Sequence, residues 1–257
     1  MITEINKKVF FENYFKITGV VLTRFISDCD KIYIDDKNRY YSSTNYAEGE
    51  CITAFQPYNL GLYNKILTEF PDAVNIEFIY NGYADRESIN NFEDECFFYD
   101  YKFQGILNTK IAAEQPFAVK LITENDIELA KQYDDLYLSS LPPKHGVRMT
   151  NQIKRDSLKN GKFKLYFAYI KDIPIGHILA YLYPEYNAWS FAYIMIEEDY
   201  KQKGYGAAFL SEVTKDNLKE GYGLYCTSVE GINIASRKTA EKVGYTIVTS
   251  RLSVSVK

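Results

Sequence analysis

Alternating apolar and polar positions predict a β-rich first half with one apolar helix. KIYID and RYYSS, separated by the turn-prone residues 36–38, predict a hairpin, and ECITAF predicts a third strand. Apolar residues at helical spacing follow from Pro57 and Asn59 to Phe70. AVNIEFIY then predicts a strand, ADRESINNFED a polar helix and CFFYDYKF another strand. The first half is therefore predicted to be an α/β domain.

A second cycle of elements is predicted from residue 117 onward. FAVKLI predicts a strand and residues 126–138 a helix, before the loop SSLPPKHG and a helix ending at Gly161. KLYFAYI and IGHILAYLY predict a hairpin with its turn at Asp172–Pro174. NAWSFAYIMI, an unbroken apolar run, predicts a strand covered on both faces. The predicted domains are residues 1–113 and 114–257.

Composition and charge narrow the function classes. The 257 residues are 46% hydrophobic and 25% charged with a net charge of −4, which is typical of a folded globular chain and unlike a nucleic-acid binder. Charged residues interrupt the amino terminus, and no segment has the ~20 apolar residues that a membrane span needs. We therefore expect a cytoplasmic protein. The cysteines at 29, 51, 96 and 226 form no CxxC pair, so neither a zinc site nor a disulfide framework is predicted.

The segment YKQKGYGAAFLSEV, residues 200–213, predicts an anion-binding turn. A strand ends, a basic turn with Gly204 and Gly206 follows, and an apolar helix with Phe209, Leu210 and Val213 begins at once. The first amides of such a helix point towards one spot, and glycines let a phosphate approach the backbone. The spacing matches neither the P-loop nor the dinucleotide GxGxxG motif.

A second motif lies downstream and gives the loop a context. The stretch GINIASRKTAEKVGY starts a predicted helix at Asn233 and ends it at Gly244. The two motifs together resemble the GNAT superfamily of N-acetyltransferases, whose loop reads Gln or Arg, two residues, Gly, any residue, then Gly or Ala. Here Lys201 departs from the first position, and Ser236 and Tyr245 fit the later motif. The length and SRKTAEKVGY further resemble a two-part GNAT family that includes zwittermicin-type resistance acetyltransferases.

The resemblance implies a mixed sheet flanked by helices and acetyl-CoA as cosubstrate. In the family, acetyl-CoA lies in a wedge between two parallel strands, where it pairs with main chain like an added strand. Ile194 and Ile196 would supply this main-chain pairing, and the alternative role for them is core packing. Asn233 would contact the pantetheine arm, and its alternative role is that of a helix cap. The implied cofactor-binding residues are Ile194, Ile196, Lys201, Gln202, Lys203, Gly204, Tyr205, Gly206, Ala207, Asn233 and Ser236.

The implied reaction is direct acetyl transfer to the amine of a small acceptor. The family often has a glutamate early on the fourth strand and a tyrosine acid after the motif asparagine. This chain has Trp189 and Ser190 at the first place and Ala240 at the second. A non-catalytic acyl-CoA-binding or interaction module is therefore the alternative.

Three residues are candidates for the proton transfers that the reaction needs. They are Glu230, Tyr193 and His145, whose alternatives are an exposed turn, core packing and an ordinary surface histidine. His177 is interpreted as structural, because it lies inside a predicted strand.

The first half repeats the predicted element order of the second, so we interpret it as a degenerate copy; the alternative is an unrelated α/β domain. Its strand-to-helix connection, Gln56–Gly61, has no lysine or arginine. One acetyl-CoA per chain is therefore expected, in the second half. The first half is expected to cover the acceptor side or to form an oligomer contact, such as that of a homodimer.

Overall fold

A computed structural model describes residues 2–10, 29–46, 49–84, 95–103, 105, 107–108, 111, 116–139, 156, 158–183, 188–222 and 224–256. The chain forms two compact units. Unit 1 contains Met1–Lys102, Ser228–Ile234 and Thr246–Lys257, and unit 2 contains Phe103–Thr227 and Ala235–Tyr245. This division is not a single cut in the sequence, and the boundary predicted between residues 113 and 114 stays a prediction.

Unit 1 is built on a mixed sheet with the strand order β1-β2-β3-β4-β5-β12-β6. The pairs β1–β2, β2–β3, β3–β4 and β5–β12 are antiparallel, whereas β4 and β5 are parallel and are joined by helix α1. The elements are β1 (Ile2–Ile5), β2 (Lys31–Asp35), β3 (Tyr40–Tyr46), β4 (Gly49–Ala54), α1 (Leu60–Glu69), β5 (Ala73–Asn81), β6 (Glu95–Phe103) and β12 (Tyr245–Ser255).

The predicted β2–β3 hairpin is confirmed, and the structure shows what fixes it. The buried carboxylate of Asp35 accepts the backbone N–H of Lys37 and Arg39 at the turn, at 2.9 and 3.0 Å. It also pairs with the Arg39 guanidinium and with Lys65 of α1, and it accepts the Tyr41 hydroxyl. Burial opposes ionisation, yet these hydrogen bonds outweigh it and hold the Asp35 pKa well below its usual range.

Unit 2 is built on a second mixed sheet with the order β7-β8-β9-β10-β11. Neighbours are antiparallel except for β10 and β11, which are parallel and are joined by helix α3. Its elements are β7 (Ala118–Leu121), α2 (Ile127–Ser139), β8 (Phe163–Ile170), β9 (Ile173–Tyr183), β10 (Ala188–Ile196), α3 (Tyr205–Lys219), β11 (Leu224–Glu230, in unit 1 from Ser228) and α4 (Ile234–Val243, in unit 2 from Ala235).

Each face of the second sheet carries a helix. Helix α2 packs Ile127, Ala130 and Tyr133 against buried β8 and β9 residues. Helix α3 buries the apolar stripe that the sequence predicts, Phe209, Leu210 and Val213. The Asn217 amide donates to the Tyr166 hydroxyl of β8, and the Thr214 hydroxyl lies 3.0 Å from that of Tyr245. These bonds fix the rotation of α3, and with it the direction of its amino terminus.

The predicted fold class is confirmed: mixed sheets are flanked by helices in an α/β architecture. Two local predictions differ from the structure. Strand β1 was not predicted, and the β8–β9 turn consists of Lys171 and Asp172, so that Pro174 already lies in β9. Most of the polar helix at ADRESINNFED lies outside the described residues, as do residues 140–146 of the SSLPPKHG loop and much of the helix after it. The first residue of that predicted loop, Ser139, is the last residue of α2. No helix in the described part of the chain is long and apolar enough to span a membrane.

The two units share a succession of strand directions. In unit 1, three antiparallel strands, β2-β3-β4, lead through a helix to a parallel strand, β5. In unit 2, β8-β9-β10 lead through a helix to β11 in the same way. The degenerate copy stays a prediction, and superposing the two units is its test.

Candidate functional site

Strand β10 leaves one edge largely unpaired among the described pairings. On its β9 side it is bonded from Ala188 to Ile196, with a bulge between Phe191 and Tyr193. On its β11 side the described pairing covers only Ala188 with Leu224 and Trp189 with Tyr225. The backbone of Ile194–Ile196, which the sequence marks for pairing with the pantetheine arm, lies beyond this short paired stretch. An edge of this kind can bond an extended ligand as if it were another strand.

The turn after β10 aims the start of α3. After a 3-10 turn at Glu198–Tyr200, Gln202 has φ 61° and Gly204 has φ 83°, both in the left-handed region. Gly204 is the N-cap, and its missing side chain gives no hydrogen bond to the first helical turn. No acidic residue lies in that turn either. The amides of Tyr205, Gly206 and Ala207 therefore have no side-chain cap and form an electropositive end.

The lysines of the turn already have partners, which the sequence did not predict. Lys201 Nζ lies 2.6 Å from Glu198 Oε2, and both side chains are exposed. Lys203 Nζ donates to the Asp199 carbonyl at 2.7 Å and lies 5.4 Å from the centre of the Tyr200 ring. The Glu198 carboxylate thus offsets the charge of Lys201, whereas the partner of Lys203 is an uncharged carbonyl. The backbone amides, which have no side-chain cap, and Lys203 are therefore the groups of the turn that could bind an anion.

Helix α4 approaches the amino terminus of α3 within unit 2. A Cβ placed on Gly206 would lie 3.7 Å from Ile196 Cγ1 and 3.8 Å from Thr239 Oγ1. A side chain at position 206 would thus point towards other residues of unit 2, whereas a Cβ on Gly204 would meet nothing within 4 Å. Ser236 lies on the same helix α4, half-buried. The structure therefore brings Ile196, the turn and α4 together, as the predicted cofactor site requires.

One glycine beside this site was not noticed in the sequence. Gly176 of β9 pairs with Ile196, and a Cβ there would lie 2.6 Å from Ile196 Cδ1 and 2.7 Å from the Met195 carbonyl oxygen. Real Cβ atoms do not approach backbone so closely. Gly176 therefore allows β9 to lie tightly against the end of β10. Its only sequence signal is an isolated glycine inside a predicted strand.

The candidate proton-transfer residues lie in different places. Tyr193 is a half-buried residue of β10 that packs against the α2-side core, with its ring 5.3 Å from that of His177. His177 is fully buried inside β9, where its ring also lies 4.7 Å from that of Phe167. Glu230 ends β11 and is half-buried, in unit 1. His145 lies outside the described residues.

Asn233 belongs to unit 1 and directly precedes α4, as predicted. Its backbone N–H donates to the Glu230 carbonyl at 2.9 Å. Gly244 follows the helix with φ 110°, so both predicted ends of α4 are confirmed. The cofactor contacts proposed for Asn233 and Ser236 stay predictions.

Tyr133 supports the end of β10 from α2. Its hydroxyl donates to the Pro174 carbonyl at 2.9 Å. Burial, followed by its hydrogen bond with Glu197, raises the pKa of Tyr133 well above its usual value. This phenol therefore stays protonated at neutral pH, and its proton is directed to the Pro174 carbonyl of β9. Within the described ranges no group of three or more His, Cys, Asp or Glu side chains could hold a metal ion.

Comparison with known proteins gives a family match for part of the chain. Residues 130–245, which include the turn and α4, match the sequence model of the acetyltransferase (GNAT) family. None of the curated proteins compared with the chain matches it significantly.

Solved structures extend the likeness to the whole chain. A GCN5-related N-acetyltransferase from Sphaerobacter thermophilus is 9% identical, with a TM-score of 0.62. The superposition covers 98% of this chain and 94% of the Sphaerobacter chain. A GNAT-family acetyltransferase from Colwellia psychrerythraea is 13% identical with a TM-score of 0.61, and 100% of both chains is covered. A functionally unknown conserved protein from Staphylococcus epidermidis is 10% identical, with a TM-score of 0.61. The superposition covers 92% of this chain and 97% of the Staphylococcus chain. At these identities the structures show the fold.

The family model therefore supports the GNAT superfamily for residues 130–245, and the solved structures support the fold. Acyl transfer is the general activity that this class supports.

Proposed function

We propose that this chain is an acyl-CoA-dependent N-acetyltransferase that moves the acetyl group of acetyl-CoA directly to an amine of a small acceptor. The observation that carries the proposal is the continuous path from the edge of β10 to the start of α3. The β11 side of β10 has described pairing at only two positions, and the helix that follows has a glycine N-cap. This path offers main-chain bonds to a pantetheine amide and uncapped amides to a pyrophosphate.

Binding at this site is proposed to use backbone more than side chains. The main chain of Ile194 and Ile196 would bond the pantetheine arm, and the amides from Gly204 to Ala207 the pyrophosphate. Lys201 and Lys203 would add charge only after leaving Glu198 and the Asp199 carbonyl. Positioning two reactants side by side can itself supply much of the rate of a direct transfer.

The second candidate function is a non-catalytic acyl-CoA-binding module. Trp189 and Ser190 lie at the family's frequent base position and Ala240 at its acid position, so neither place has a carboxylate or a phenol; Trp189 and Ala240 are also fully buried. The two candidates differ in a measurable way. Calorimetry with acetyl-CoA tests binding, and a thiol-release assay with a panel of amines tests transfer. Binding with CoA release above background supports the enzyme, binding without release supports the module, and no binding at millimolar acetyl-CoA refutes both.

The remaining assignments belong to the same proposal. The two-part zwittermicin-type subfamily, a cytoplasmic location and a homodimer are inferred from the sequence alone. Screening amines by mass spectrometry tests the acceptor class, and analytical ultracentrifugation tests the homodimer.

A further inference from the structure

Strand β9 of unit 2 contains a bulge opposite the end of β10. The pairing of β8 with β9 passes from Ala168–Gly176 to Tyr169–Pro174, so Ile175 is an extra residue of β9. A bulge of this kind interrupts the ladder of hydrogen bonds and bends the strand that contains it. The position of the bulge therefore affects how β9 meets the last residues of β10.

The bulge holds the chain that leaves β10. The Ile175 carbonyl accepts the N–H of Glu197, the residue between β10 and the following 3-10 turn, at 2.9 Å. At Gly176, the next residue of β9, a Cβ would lie 2.7 Å from the Met195 carbonyl oxygen. The bond and the close approach together keep the end of β10 on the β9 side.

Tyr133 of α2 fixes the bulge through a side-chain bond. Its hydroxyl donates to the carbonyl of Pro174, which directly precedes Ile175, at 2.9 Å. The side chain is 4% exposed, and its ring packs edge-to-face against Phe167 with the ring centres 4.8 Å apart. The hydroxyl is therefore held in place on the side of the helix as well as on the side of the strand.

Packing alone does not explain a tyrosine at position 133. The core around it is apolar and includes Ile127, Leu165 and Leu179. A phenylalanine would fill the same volume without a hydroxyl, whose burial costs free energy unless it is hydrogen-bonded. What the hydroxyl adds to this core is the bond to the Pro174 carbonyl.

The amino terminus of α3 is held by other contacts. Helix α3 buries its own apolar stripe, and the Asn217 amide donates to the Tyr166 hydroxyl of β8. The amides proposed to bind the pyrophosphate are thus positioned by α3 itself, whereas the edge proposed to bind the pantetheine arm is positioned by β9.

We propose that Tyr133 is a positioning residue for the cofactor, which acts through the β9 bulge on the backbone of Ile194–Ile196; this inference rests on the proposed function. While Tyr133 holds the bulge, the bond from Glu197 to Ile175 keeps the end of β10 aligned with β9. The β11 side of β10, where the described pairing covers two positions, then keeps the alignment that an added strand needs.

The test compares a ligand that has the pantetheine arm with one that lacks it. CoA has both the arm and the pyrophosphate, whereas ADP has the pyrophosphate alone. By titration calorimetry we expect Tyr133→Phe to raise Kd for CoA about 3- to 10-fold, the usual effect of one lost hydrogen bond. Kd for ADP should change by less than about twofold, because the start of α3 is held separately.

Tyr169→Phe is the matched control. Tyr169 is a half-buried β8 tyrosine that packs against the same core as Tyr133. Its phenylalanine variant should keep both Kd values within about twofold of wild type. Thermal melts should show Tyr133→Phe folded, with Tm lower by at most about 6 °C.

Four results would overturn the inference. They are a Tyr133→Phe Kd for CoA within about twofold of wild type, an ADP Kd raised as far as the CoA Kd, an equal CoA deficit in Tyr169→Phe, and a Tyr133→Phe chain that does not fold. Each would make the hydroxyl a feature of the core only. Wild-type protein that binds CoA but not millimolar ADP also overturns it, because the pyrophosphate would then contribute too little. Absence of CoA binding by wild type overturns the proposed function itself.

Discussion

Gly204 and Gly206 offer a paired test of the anion-binding turn, because their missing side chains face opposite ways. A Cβ on Gly204 would meet no atom within 4 Å, so it would project outward beside the first amides of α3. A Cβ on Gly206 would face Ile196 and Thr239 at ordinary contact distances. Gly204→Ala should therefore block a bound phosphate, whereas Gly206→Ala should not.

The two substitutions should also have opposite effects on stability. Gly204 has φ 83°, and an L-residue in the left-handed region costs about 1–2 kcal/mol. For a chain of this size that corresponds to a Tm lower by roughly 2–8 °C. Gly206 is helical, and replacing glycine by alanine in a helix gains about 0.5–1 kcal/mol. Gly206→Ala should thus leave Tm unchanged or raise it slightly.

The effect on affinity follows from the number of bonds lost. A hydrogen bond to a charged group contributes about 1.5–3 kcal/mol, so losing one amide–phosphate bond should raise Kd roughly 10- to 150-fold. Titration calorimetry with CoA measures Kd, and thermal melts of the unliganded proteins measure Tm. Equal Kd values for Gly204→Ala and wild type, or a Gly206→Ala Kd raised as far as that of Gly204→Ala, would refute the assignment of the turn.

Three further predictions follow from the same structure. Asp35→Asn should lower the free energy of unfolding by about 3 kcal/mol at pH 7, measured by urea melts, whereas Asp36→Asn, at an exposed aspartate, should change it little. The Asp35 pKa is lower in the folded than in the unfolded chain, where it is near 3.9, so the ionised carboxylate stabilises the fold above pH 3.9 and less as the pH falls below it. The difference between wild type and Asp35→Asn should therefore shrink towards pH 3. Glu198→Gln should release Lys201 and lower Kd for CoA about two- to fivefold, with the gain lost at about 0.5 M salt; an unchanged Kd at low salt would contradict it. Calorimetry should give one CoA per chain, and a stoichiometry of two would contradict the single site.

Local chemistry explains which features could be predicted from the sequence. Alternation and turn residues suffice for the β2–β3 hairpin, and the 3.6-residue period suffices for α3, because both signals lie within the segment itself. The glycine turn and the ends of α4 were predictable for the same reason. By contrast, the placement of β12 between β5 and β6 depends on partners far away in the sequence. No local pattern encodes it.

The sequence likewise locates individual polar residues but not the contacts between them. The sequence places Lys201 in the turn, but its pairing with Glu198 is visible only when the intervening 3-10 turn is known. Within unit 1, the contacts that join Asp100 to Ser228 and Arg251 to Glu77 link residues 128 and 174 positions apart. Each of these residues alone resembles an ordinary strand position. Only the folded sheet shows that they form one network.

The contrast between α1 and α3 explains why a single CoA is expected although the units share strand directions. Asn59 caps α1 and accepts the Leu62 N–H at 2.8 Å, so the side chain occupies the position that a phosphate would take. Strands β4 and β5 are paired from Glu50–Ala73 to Ala54–Phe78, which leaves no described gap for an added strand. In unit 2 the corresponding helix has a glycine cap, and the described pairing of β10 with β11 stops after two positions. A bound pantetheine in unit 1 would have to break existing bonds, whereas in unit 2 it would form bonds that the described structure leaves open. The difference therefore lies in backbone bonding and capping, and added lysines in the Gln56–Gly61 connection would not create a second site.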